Sequence, residues 1–173
     1  MAVFREDTTI YPIMVQMSAC LCTEIDDSGL PTPCSCGLMV GELVLDYCSS
    51  CKDGKCGGQA WVRLIDAYPS VNFPLPALDN NNCTYPLAFN LEVGIVRCKP
   101  LGTANGVRGY NPPSIEQQVK AIRLQTADIA AMRRAINCCL AGSGREYVIQ
   151  NYSPVPQDAD CLGGAFQVTV WQE

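Results

Sequence analysis

Apolar residues recur at Ile10, Ile13, Met14, Met17 and Leu21, and spacings of three and four place them on one face of a helix of about three turns. Thr8-Thr9 and Pro12 mark its start, and Asp26-Asp27-Ser28-Gly29 its end. The period then changes. Gln59 to Ala67 is short and rich in large and β-branched residues, which predicts a strand stopped by Tyr68-Pro69-Ser70. Leu87, Phe89, Leu91, Val93 and Ile95 alternate with their neighbours up to Cys98, the clearest strand in the chain. The helical period returns after Ser114, which with Gln117 three residues later forms a capping-box pattern. Ile115, Val119, Ile122, Ile129, Met132, Ile136 and Leu140 are expected on one stripe, with Glu116, Gln118, Lys120, Arg123 and Asp128 on the remainder. Gly142 and Gly144 end this helix. Two further strands are predicted at Arg145–Tyr152 and Ala165–Trp171.

Between these elements the chain uses loop chemistry. Residues 26–58 form a Gly-, Pro-, Ser- and Cys-rich insert, apart from the apolar piece Leu38 to Leu45. Val71–Pro86 and Pro100–Pro113 are rich in Pro, Gly or Asn and read as long loops. The order helix, insert, strand, strand, helix, strand, strand contains no repeated strand-helix-strand unit. It predicts an α+β fold: a small, mainly antiparallel sheet with two helices packed on one face. At 173 residues, one domain over 1–173 carrying the insert is the expectation.

Composition narrows the function. The chain has 12 basic and 17 acidic residues, a net charge of −5, and no basic run longer than Arg133-Arg134, so the footprint needed to neutralise many phosphates is missing. Met1 to Asp7 does not read as a secretory signal, and Pro12, Gln16 and Ser18 interrupt the one candidate membrane stretch. There is no histidine, which closes the common serine and cysteine nucleophile mechanisms and leaves no catalytic residue to name. The acids at Glu24, Asp26 and Asp27, and at Asp158 and Asp160, lie in polar turn sequence and read as solvated surface. No enzyme is expected.

Twelve cysteines remain. Cys34 and Cys36 with Cys48 and Cys51 could supply four thiolates to a tetrahedral zinc, although the Cys-x-Cys pair departs from the usual double Cys-x-x-Cys knuckle. Structural disulfides or buried thiols are the preferred reading, because a glycine-rich insert with few bulky residues is hard to hold by packing alone. No other cofactor is called for.

Gly58-Gln59-Ala60-Trp61-Val62-Arg63-Leu64, Pro86 to Gly94, Ala131-Met132-Arg133-Arg134-Ala135-Ile136 and Cys161 to Val170 together resemble a family of neck proteins from long-tailed actinobacterial phages. The element order is also similar to that of phage tail terminators. That resemblance implies a virion protein of the head-tail neck, working in the host cytoplasm during assembly. It would cap the tail tube as a ring, a hexamer in that family of terminators, and join it to the head connector. The implied partners are copies of itself, the tail tube protein and a connector or stopper protein. Genomic DNA would only pass through the lumen, and no membrane is involved. Another neck component, or a zinc-stabilised binding module, are the alternatives.

Overall fold

The computed structural model describes residues 7–43, 57–78, 85–100, 102–105, 109–155 and 161–172. Helix α1 spans Ile10–Asp27. Thr9 is the N-cap residue, as expected, but its side chain makes no capping bond; Asp7 supplies it, its carboxylate accepting the N–H of Thr9 at 3.2 Å and of Tyr11 at 2.6 Å. A full negative charge there also meets the positive end of the helix dipole, which a hydroxyl cannot do.

The strands are β1 (Ser35–Leu38), β2 (Gln59–Pro69), β3 (Leu87–Cys98), β4 (Thr103–Asn105), β5 (Gly109–Asn111), β6 (Tyr147–Pro154) and β7 (Cys161–Gln172), with helix α2 at Ile115–Ala141. Five of them form one sheet in the order β1-β2-β3-β7-β6. All its pairings are antiparallel except β1 on β2. The fold is α+β, as the period changes along the sequence predict. β3 and β7 form its spine, in unbroken register from Leu87↔Gln172 to Cys98↔Cys161.

Both helices cover one face of the sheet. Ile13, Met17, Leu21 and Ile25 of α1 and Met132, Ala135, Ile136 and Leu140 of α2 are buried against Val62, Phe89, Leu91, Val93, Ile95, Val168 and Val170. The strand residues are alternate positions, as a half-buried sheet requires. Burying each large apolar side chain contributes roughly 1.5–3 kcal/mol, so this layer is the main source of stability.

Two loop expectations are corrected. The insert supplies β1, whose main chain pairs in parallel with Gln59 to Val62, and the Pro100–Pro113 stretch holds the β4–β5 ribbon. Ser-Cys-Gly-Leu has little strand propensity of its own. It is fixed by main-chain bonding and by the crosslink of Cys36 to Cys22 in α1.

A third correction concerns α2. Its capping box is present, with Ser114 and Gln117 bonded reciprocally at 3.2 and 2.8 Å. Its buried face, however, runs through Asp128, Ala131, Met132, Ala135, Ile136, Cys139 and Leu140. Ile115, Val119 and Ile122 are exposed. Ile122 lies 18 residues, five full turns at 100° per residue, before buried Leu140 and so shares its azimuth. The predicted stripe is therefore one stripe that is buried only in the second half of the helix.

On the other side of the sheet Trp61, 1% exposed, lies across the strand from Gly94. A Cβ on Gly94 would come within 2.2 Å of the indole ring, so the glycine is what lets the ring lie flat on β3. Gly94→Ala is expected to cost about 1–3 kcal/mol, the range for overpacking a tight site. Urea unfolding measures it; a loss under about 0.5 kcal/mol would show that the ring moves aside freely.

Candidate interaction surfaces

A buried ion pair joins α2, the sheet and the insert. Arg97, at the end of β3, and Asp128, in α2, are 4% and 3% exposed. The guanidinium donates to the carboxylate from Nε at 3.0 Å and from Nη2 at 2.8 Å. Its Nη1 donates to the carbonyl oxygens of Gly57, at 3.1 Å, and Pro31. These carbonyls lie near the two ends of the insert, so one side chain ties both ends to the helix. A planar fork of donors suits this task, and a lysine could not reproduce it. The helical pattern places Asp128 off the apolar stripe. The signal that could have found the pair is Arg97 continuing the inward alternation of Val93 and Ile95, since a cation on a core face needs a buried acid.

The outer face of the sheet carries a polar network. Glu92 accepts from Trp61 Nε1 at 2.8 Å and from Arg63 Nε and Nη2 at 2.7 and 3.0 Å. A second row crosses four strands: Asn90 donates to Asp66 at 2.6 Å, Thr169 donates to Asn90 at 2.6 Å, and Gln150 donates to Thr169 at 3.0 Å. Burial, reinforced by the charge of Asp66, pushes the Tyr68 phenol above its ordinary pKa. Burial does the same to Tyr152, with a smaller push from Asp128 that a hydrogen bond from Gln125 opposes. Both phenols stay protonated at neutral pH and act as hydrogen-bond groups. The members of the network bond to one another, which fixes the outer face as a specified polar surface.

Two exposed apolar surfaces lie at different ends of this frame. One is the loop after β2, at the end where Pro69 pairs with Leu87. Val71 and Leu75 are 53% and 65% exposed there. The loop is nevertheless held in shape: Ser70 Oγ and Tyr68 OH donate to the carbonyls of Leu75 and Pro74, both at 2.8 Å, and Phe73 stacks on Trp171. The second is the first half of α2. Asp128 sits over Arg97 at the opposite end of β3, and residues 115–127 before it make about 20 Å of helix at 1.5 Å per residue. On this arm Ile115, Val119 and Ile122 are 80%, 41% and 58% exposed.

Seven of the eight described cysteines are in disulfides. Cys36 is crosslinked to Cys22, and Cys20 in α1 to Cys139 in α2 across 119 residues. Cys34, Cys98 and Cys161 are also in disulfides, and Cys138 is free and exposed. Cys34 and Cys36 are thus not thiolates in this structure, and an oxidised sulfur does not serve as a zinc ligand; Cys48 and Cys51 lie outside the described residues. Among the described residues no group of three or more metal-ligating side chains comes together. Nor is any helix long and apolar enough to cross a membrane. Glu24 does not pair with its neighbouring acids but binds Arg134 at 2.9 Å, bracing α1 on α2. Asp158 and Asp160 are outside the described residues.

No family model and no curated protein matches this chain. The functional reading therefore rests on the surfaces above and on the resemblance noted in the sequence.

Proposed function

We propose that this chain is a structural virion protein of the phage head-tail neck, a tail terminator that acts as a ring, a hexamer, between tail tube and head connector, without catalysis. The observation that carries the reading is the pair of exposed apolar surfaces, the loop at Val71–Leu75 and the α2 arm, at opposite ends of the β3 strand. Different patches at different ends are what a component with a neighbour on each side requires, since such contacts are heterologous. Apolar residues displayed on ordered elements mark interaction sites.

Two further features support it. Disulfides between α1, α2 and β1 suit a part that must survive outside the cell, where they persist. The acidic balance of −5 suits a ring through which DNA slides without sticking.

The test is electron microscopy of particles assembled without this protein and with a triple variant, Ile115→Ser, Val119→Ser and Ile122→Ser. Overlong or headless tails are expected in the first case. The variant is expected to fold normally, because those side chains are outside the core, yet to fail to restore joined particles. Normal particles in the absence of the protein would overturn the reading. A connector or stopper in place of the terminator would give full heads and tails of normal length that do not join.

A further inference from the structure

The arm of α2 presents its apolar residues in a pattern that selects a particular occupant. Ile115, Val119 and Ile122 recur at spacings of four and three, the seam of a two-helix contact. Glu116 and Arg123 are both exposed. Seven residues apart, they fall within about 20° of each other on one flank of that seam. The opposite flank carries Gln118 and Gln125, which are uncharged.

We propose that, in the free protein before neck assembly, this arm pairs antiparallel with the same arm of a second copy of the chain. In an antiparallel pair the same flank of both helices meets. With a two-fold axis near Lys120 and Ala121, Val119 of each copy packs on Ile122 of the other. Glu116 of each copy then faces Arg123 of the other, giving two identical ion pairs. A parallel pair sets the charged flank against the glutamines and gains none. The charges are thus complementary to a second copy in one orientation, and the contact is isologous, as two-fold dimers require. Three apolar side chains per arm make an interface under about 1,000 Å², the size of a reversible contact that a neck partner could displace. The inference rests on the proposed function only in treating the arm as an assembly surface.

Light scattering and native mass measurement over a wide concentration series test it on the full chain, as wild type, Glu116→Arg, Arg123→Glu and the double swap. Wild type is expected to populate even-numbered species. Each single variant places like charges together and is expected to weaken association about tenfold or more, while the double swap restores it to within about threefold. Circular dichroism checks each fold; if a charge reversal misfolds, Glu116→Gln and Arg123→Gln replace it, with a loss of about threefold expected for each. A wild type that stays monomeric, single variants that associate like wild type, or a double swap that fails to recover would each overturn the proposal. A hexamer unaffected by all variants overturns the arm pairing while leaving the ring reading intact. Swap-sensitive dimers together with normal particles lacking the protein do the reverse.

Discussion

Replacing Arg97 with alanine is expected to destabilise the protein by about 3–5 kcal/mol, the cost of stranding one partner of a buried ion pair. Asp128, 3% exposed, would be left as an unpaired carboxylate among apolar groups, and the carbonyls of Pro31 and Gly57 would lose their shared donor. Asp128→Ala should cost a similar amount by stranding the guanidinium. Urea denaturation measures both. The pair Arg97→Met with Asp128→Leu is expected to regain most of the loss in global stability, since two apolar groups of similar volume remove the need for pairing. It should not regain the attachment of the insert, because no donor then reaches those two carbonyls. Hydrogen exchange around Cys34 and Gly58, whose backbone groups bond at 2.8 Å, separates the two effects. A loss under about 1 kcal/mol for Arg97→Ala would mean that water replaces the ion pair, and the role assigned to it would be wrong.

Breaking Cys20–Cys139 is the second large effect. The two cysteines are 119 residues apart in sequence, against 14 for Cys22–Cys36. Constraint of the unfolded chain scales with the logarithm of loop length, giving about 4.9 kcal/mol for the longer loop and about 3 for the shorter. Cys20→Ser with Cys139→Ser is therefore expected to lower stability more than Cys22→Ser with Cys36→Ser. Both should be made with Cys138→Ser, so that the exposed free thiol cannot exchange with the disulfides that remain. Thermal unfolding, with and without reductant, gives the order. If the shorter crosslink proved the costlier to lose, α1 would be held mainly through β1 and not through α2. The long crosslink also changes how the cysteines are understood: Cys20 reaches from the N-terminal set to the end of α2, so the stapling spans the domain and is not confined to the insert.

The elements whose side chains alone decide their partners were legible in the sequence. Leu87 to Ile95 alternates because one face of β3 meets the helices, and Ile13, Met17 and Leu21 recur with the helical period because α1 lies on that face. The Ser114 and Gln117 capping box was equally readable, since it is completed within three residues. The resemblance of Gln59 to Leu64 and Cys161 to Val170 to a neck-protein family could be seen in the sequence, but it pointed to no single surface.

What only the tertiary structure decided is which apolar and which charged residues are inside. Ile115, Val119 and Ile122 are apolar like Met132 and Ile136, yet β3 ends just past Arg97, and among the described residues these three side chains stay exposed. Asp128 reads as a surface acid until Arg97, 31 residues away, is placed against it. β1 has almost no propensity and forms because β2 offers it a free edge. In each case the deciding partner is remote in sequence, and local pattern carries periodicity but not the position of the second surface. The sequence alone thus determined the two helices, the strands β2, β3, β6 and β7 and the α+β class, whereas β1, the exposed arm, the buried pair and the crosslinks depended on partners that only the folded chain brings together.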